Sequence, residues 1–159
     1  MIIDVITAST SRFERSGSVK RPDDAEDLSG KIIIERIAIE SYEYSYRLLS
    51  DEIDAIRNAV LYSTADAVVI CGGTGLSPKD VTIEAVEPFF EKVMPGFGEI
   101  FRLRSMEEVG TRAMLSRAEA GIIRGIPVFC LPGSPSAAKL GIDLILSEIQ
   151  HILVHISEV

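Results

Sequence analysis

The sequence predicts an α/β fold: a mostly parallel sheet, with one antiparallel strand, between layers of helix. Three observations carry this. The run Val68-Val69-Ile70-Cys71 is apolar and β-branched, the pattern of a strand buried on both faces of a parallel sheet. Two such runs, ending at Cys71 and Leu131, break into glycine turns and then into helix starts. That strand–turn–helix unit is the repeat of open α/β sheets. Finally, Ala120 to Arg124 and Ile126 to Leu131 are joined by Gly125 alone. A link that short makes a hairpin, so the sheet is not wholly parallel.

The first strand is expected over Ile2 to Thr7. Ser9 to Asp27 is polar and reads as a long loop, a feature that compact domains reserve for function or disorder. Its Arg12, Arg15, Lys20 and Arg21 could reach a phosphate or carboxylate, or belong to a solvated flap. Asp27 and Ser29 are plausible caps for a helix from about Ser29 to Ile39. Tyr42, Tyr44, Tyr46 and Leu48 then alternate with polar residues, as in a half-buried strand. Ser50 and Asp51 lead a helix carrying Ile53, Ile56 and Val60. Beyond the central glycines, Val81 to Phe90 is helix-like. Pro95-Gly96-Phe97-Gly98-Glu99 reads as a turn into a helix over about Glu99 to Val109, ended by Gly110. At the second glycine junction, Ser134 as N-cap and Pro135 at the first helical position begin the last helix.

A chain of 159 residues, 47% of them apolar, reads as one domain over 1–159, large enough to bury a core. Its net charge of −8 argues against broad nucleic-acid binding, which needs a positive footprint. It leaves room for a small anionic ligand held by local cations, backbone amides and Mg²⁺. No apolar stretch reads as a membrane span, and Met1 to Thr7 is too short for a signal-peptide core, so no membrane partner and a cytoplasmic location are expected. Cys71 and Cys130 read as buried free thiols. His151 and His155 have metal-like spacing, but without a His-Glu-x-x-His pattern they read as a surface pair.

The chemistry concentrates at Gly72-Gly73-Thr74-Gly75-Leu76-Ser77-Pro78-Lys79-Asp80. Glycines let backbone approach a ligand, and free amides near a helix start face negative charge. The same glycines would also suit a bare turn. Asp51, alone, could be an N-cap; with Asp80 at the same strand-end rim, the pair could hold Mg²⁺ or a phosphate–metal complex. Ser134, Ser136 and Gly133 offer a second anion-facing helix start.

In order along the chain, Ser50-Asp51-Glu52, Gly72-Gly73-Thr74-Gly75 with Pro78-Lys79-Asp80-Val81-Thr82, Pro95-Gly96-Phe97-Gly98-Glu99, Leu115-Ser116-Arg117-Ala118 and Leu131-Pro132-Gly133-Ser134-Pro135 form a specific set. That set resembles the molybdenum-cofactor biosynthesis domain of the MoaB/MogA molybdopterin adenylyltransferases and the gephyrin G domain. Ser9, Ser11, Arg12 and Asp27-Leu28-Ser29-Gly30 look like the MoaB branch. The resemblance implies a three-layer αβα, Rossmann-like sandwich. It implies transfer of AMP from ATP to the terminal phosphate of molybdopterin, with Mg²⁺ and release of pyrophosphate. Asp51 and Asp80 fall on the family's two functionally important aspartates, as candidate Mg²⁺ ligands. Gly72, Gly73, Thr74, Gly75, Ser77, Lys79, Ser116, Gly133, Ser134, Ser136, Ser9 and Arg12 fall in ligand-binding segments. Glu99 could accept from pterin amino groups or simply sit at a helix start. A homo-oligomer, trimer or hexamer, and hand-over to a molybdenum-inserting enzyme are also implied. A non-catalytic molybdopterin-binding scaffold stays open as an alternative. So does another nucleotide enzyme on the same domain, such as the competence-damage-type pyrophosphatases, although those are longer chains.

Overall fold

The computed structural model describes residues 1–157. Six strands form one sheet: β1 (Ile2–Ala8), β2 (Glu43–Leu49), β3 (Ala67–Cys71), β4 (Lys92–Val93), β5 (Glu119–Ile123) and β6 (Ile126–Leu131). Their order is β2-β1-β3-β6-β5-β4. β2, β1, β3 and β6 are parallel, whereas β5 runs antiparallel to both β6 and β4, so β5 is the one reversed strand. The expected hairpin is present. Its two-residue turn is Arg124-Gly125, with φ of 53° and 75°, the left-handed pair that suits strand twist.

Two apolar clusters lie on opposite faces of this sheet. One joins Val5, Val69 and Phe129 to Ile33, Phe101, Ile142, Ile145 and Ile149, from helices α2 (Leu28–Ile39), α5 (Pro95–Val109) and α6 (Pro135–Ser157). The other joins Ile6, Val68 and Ile70 to Ile56, Val60, Ile83 and Val86, from α3 (Ile53–Leu61) and α4 (Thr82–Val86). Neighbouring strand residues such as Val68 and Val69 thus feed opposite layers, as the two-residue period of a strand requires. Each fully buried isoleucine of α6 contributes roughly 1.5–3 kcal/mol.

Several expectations are corrected. The polar stretch after β1 is not a loop: it holds helix α1 (Thr10–Ser16) and a 3₁₀ turn, Pro22–Ala25. Ser9 caps α1 and Gly17 ends it at φ 67°. Seven residues are too few for a helical period to show in sequence. Asp27 alone caps α2, accepting from the Gly30 amide at 3.0 Å; the Ser29 hydroxyl instead donates to the Gly133 carbonyl. Pro95-Gly96-Phe97-Gly98 is already helix, with proline in its favoured first turn. The stretch from Val81 divides into α4 and a 3₁₀ turn at Glu87–Phe89, where Pro88 removes a helix donor. Strand β4, two residues long, carries no readable pattern. Finally, α6 is long and apolar enough to cross a membrane by length and composition, contrary to expectation. Its Ala138, Ile142, Ile145 and Ile149 are buried against the sheet, so this apolar stripe serves the core.

Candidate active site

The sheet reverses direction of growth at β1, which has β2 on one side and β3 on the other. Ligands of open α/β sheets settle at such a switch, beyond the strands' C-terminal ends. Register aligns those ends: Ala8 pairs with Leu49, Thr7 with Cys71, and Cys71 with Leu131. The segments that follow these four strands therefore emerge on one rim. They line a cleft of about 1020 Å³ together with Ser105, Glu108 and Arg112 from α5 and the 3₁₀ turn Gly110–Leu115. The volume is at the upper end for small-molecule sites.

The loop after β3 is built to present amides. Thr82, fully buried, donates its hydroxyl to the Gly72 carbonyl at 2.8 Å and its amide to the Gly73 carbonyl at 2.9 Å. Arg117 Nε donates to the Thr74 carbonyl at 3.0 Å. Among the described residues no peptide is cis. In a trans peptide the next N–H points opposite to the carbonyl. Tying three consecutive carbonyls to Thr82 and Arg117, which lie outside the cleft lining, turns the Gly73, Thr74 and Gly75 amides the other way. Such successive amides form an anion-binding concavity. Gly72 and Gly73 have φ of 98° and 65°, a left-handed run that glycine enters freely.

Both aspartates flank this loop and line the cleft. A Cβ on Gly73 would lie 2.9 Å from Asp51 Oδ1, and one on Gly75 would lie 2.6 Å from Asp80 Oδ2. Asp51 is not a helix cap; Glu52 holds the cap position of α3. Its Oδ2 accepts from the amide and hydroxyl of Thr10, each at 2.8 Å, leaving Oδ1 toward the loop. Asp80 Oδ2 accepts from the Ser77 amide at 3.0 Å. Among the described residues no cluster of three His, Cys, Asp or Glu forms a ready-made metal cage. Two hard carboxylates beside an anion-binding loop instead fit Mg²⁺, which takes one or two carboxylates and completes its shell with phosphate oxygens and water.

Electrostatics agree. Arg12, Lys79 and Arg112 line the cleft, and among the described residues none of them forms an ion pair. Arg12 Nε is shielded from solvent and has no hydrogen-bond partner among the described residues. Unpaired cations are what an incoming anion needs. The lining also carries Asp27, Glu52 and Glu108, whose negative charge a bound divalent cation could offset for a polyphosphate.

Of the residues singled out in the sequence, Ser9, Arg12, Asp51, Gly72, Gly73, Thr74, Gly75, Lys79, Asp80, Ser116, Gly133, Ser134 and Ser136 line the cleft. Ser77 and Glu99 do not. The Ser77 hydroxyl accepts from the Lys79 amide and shapes the turn. Glu99 is exposed beside a second groove, of about 530 Å³, with Arg102 and Glu119. Thr10, Thr82 and Arg112 escaped notice. Thr82 stood within a quoted motif, whereas Thr10 and Arg112 carry no local signal. Both thiols are free and buried, as expected, and burial pushes the Cys71 thiol up to about 12. His151 and His155 meet on the surface of α6, Nε2 to Nε2 at 2.9 Å.

Sheet and cleft together define a class: an open α/β protein whose glycine-rimmed cleft lies at the topological switch of its sheet. Over residues 4–151 the chain matches the family described as "Probable molybdopterin binding domain". It belongs to that family. It is 44% identical over 140 residues to the molybdopterin adenylyltransferase of Pyrococcus furiosus, covering 84% of this chain and 82% of the relative. With molybdenum cofactor biosynthesis protein B of Bacillus subtilis it shares 43% over 156 residues, covering 94% and 86%. The crystal structure of the tungsten cofactor synthesizing protein MoaB from Pyrococcus furiosus superposes with a TM-score of 0.85 at 41% identity, covering 99% of this chain and 97% of that one.

Proposed function

We propose that the chain is a molybdopterin adenylyltransferase of molybdenum cofactor biosynthesis, working as a single molybdopterin-binding unit over 1–159. A terminal phosphate oxygen of molybdopterin attacks the α-phosphorus of ATP. A new P–O bond forms, the bond from the α-phosphorus to the bridging oxygen breaks, and pyrophosphate leaves with that oxygen. The nucleophile is already ionised, so alignment and charge neutralisation carry the catalysis and no histidine base is needed. Mg²⁺, bound with the nucleotide, supplies neutralisation of the polyphosphate. Asp51 and Asp80 hold it at the loop. The Gly73–Gly75 amides, Arg12, Lys79 and Arg112 receive phosphate oxygens. Ser9, Ser116, Ser134 and Ser136 donate hydroxyls from the surrounding walls.

The observation that carries this reading is the glycine loop, its carbonyls tied back to Thr82 and Arg117 and its flanks set beside two aspartates, in a cleft where Arg12, Lys79 and Arg112 form no ion pair among the described residues. The test mixes the protein with Mg-ATP and molybdopterin and follows pyrophosphate. Turnover that collapses in Asp51→Asn and Asp80→Asn, with folding retained, is the expected result. Unimpaired turnover in both variants removes the metal-holding role. Tight molybdopterin binding by the unaltered protein with no pyrophosphate identifies the scaffold alternative instead.

We further propose a homo-oligomer, trimer or hexamer, in the cytoplasm, handing its product to a molybdenum-inserting enzyme. The oligomer is supported by the outer face of α5 and its continuation, where Ile100, Leu103, Met106 and Met114 are more than half or about half exposed. Exposed apolar side chains gathered on one element favour association with another copy.

A further inference from the structure

The reaction above gives Ser116 a role but leaves its neighbour Arg117 without one. It lies outside the cleft lining, as does Glu84 of α4. Its guanidinium forms a fork with Glu84, Nη1 to Oε1 and Nη2 to Oε2, while Nε remains for the Thr74 carbonyl. Thr74 is 3% exposed and sits between Gly73 and Gly75, which line the cleft with it. The Gly72 and Gly73 carbonyls are held by Thr82 within one short helix. The Thr74 carbonyl, by contrast, is held by a side chain that approaches from the start of β5 and is itself held by α4. The last amide of the loop, Gly75 N–H, is thus aimed by a two-residue relay.

We propose that Arg117 and Glu84 are positioning residues for the cleft: Glu84 fixes the guanidinium fork, the fork fixes the Thr74 carbonyl, and the trans peptide then directs the Gly75 amide at the ligand's phosphate. This rests on the phosphate-binding reading of the loop. Arginine is required because its planar fork serves a carboxylate and a carbonyl at once, which a lysine ammonium cannot do in a fixed geometry. Neither residue touches the reacting atoms.

The test uses the full chain with Arg117→Met, Arg117→Lys, Glu84→Gln and the double variant Arg117→Met/Glu84→Gln. Two readouts are taken: amide hydrogen exchange across 72–80, and KM for Mg-ATP and for molybdopterin measured separately. Expected is faster exchange confined to that segment. Also expected is a KM rise of about ten-fold or more, the scale of a lost charge-assisted hydrogen bond, for whichever substrate the loop holds, and little change for the other. Arg117→Lys recovers part of the loss, and the double variant is no worse than Arg117→Met, since the two residues act as one unit. Equal loss toward both substrates with a matching fall in stability overturns the proposal, as does unchanged exchange. Should Arg117→Met fail to fold, Glu84→Gln carries both readouts. Should the unaltered protein release no pyrophosphate, the adenylyltransferase reading falls. Exchange alone then decides the relay: faster exchange in 72–80 upholds it, and unchanged exchange removes it.

Discussion

Thr10 and Asp51 are bonded in both directions across the rim. The Thr10 amide and hydroxyl donate to Asp51 Oδ2, and the Thr10 hydroxyl accepts from the Asp51 amide at 3.0 Å. The residue that opens α1 therefore orients the carboxylate that follows β2. With Oδ2 satisfied twice, Oδ1 is the oxygen left toward Gly73.

Thr10→Val keeps the shape and the amide contact but deletes both hydroxyl bonds. Hydrogen bonds to charged groups are worth about 1.5–3 kcal/mol, so kcat/KM should fall about 10- to 100-fold. Thr10→Ser should stay close to the unaltered enzyme. Pyrophosphate release across a Mg²⁺ titration checks this, and Thr10→Val should also demand more Mg²⁺. An unchanged titration would separate Thr10 from the metal-holding role of Asp51.

Gly73→Ala tests how tightly the loop is determined. The new Cβ would meet Thr82 Oγ1 at 2.4 Å and Asp51 Oδ1 at 2.9 Å, in a backbone already at φ 65°. Left-handed backbone alone costs a non-glycine residue about 1–3 kcal/mol. The Thr82 hydroxyl cannot retreat without releasing the Gly72 carbonyl. The variant should lose several degrees of Tm and most of its turnover. Thr82→Val should share the loss of stability, since it leaves that carbonyl unsatisfied in a buried place.

What the sequence disclosed, and what it hid, follow from range. Val68 to Cys71 and Leu131 to Ser134 announce themselves within a few residues, so both glycine junctions and the cleft they bound were legible. Asp51 and Asp80 were legible as a pair because each follows a readable strand or turn. Thr10 was not: its meaning is a hydrogen bond to a residue 41 positions away, while its neighbourhood resembles any polar loop. Arg117 stood in view, but its partners Thr74 and Glu84 are 43 and 33 positions distant. Glu99 misled for the converse reason. Pro95 begins the helix a full turn early, which sets that carboxylate beside the neighbouring groove.

Arg112→Ala should weaken the polyphosphate substrate without unsettling the fold. The residue is exposed, makes no ion pair among the described residues, and lines the same cleft as the loop. Removing one cation should raise KM for Mg-ATP by a few-fold, and the effect should shrink as salt rises and screens the field. Arg12→Ala should cost more, because its shielded Nε has no competing partner in the free protein. Kinetics at low and high ionic strength check the order. Equal KM values for both variants and the unaltered enzyme would place the phosphate elsewhere.

Glu119→Gln should stabilise the protein at neutral pH. Burial, with a smaller push from Glu87, raises the Glu119 carboxyl above its ordinary value, and Arg102 and Arg117 only partly oppose this. A raised carboxyl means that the folded state resists ionisation. Below the ordinary carboxylate range the side chain is protonated in both states and costs nothing. As pH climbs through the ordinary value and then the raised one, the unfolded chain ionises first, and the cost to the fold grows until both are charged. Glutamine carries no such cost. The Tm of Glu119→Gln should therefore match that of the unaltered protein in acid and exceed it near pH 7. Thermal unfolding at several pH values gives the curve. A gain that is largest in acid would reverse the sign and show that the charged carboxylate is held by Arg102 and Arg117 instead.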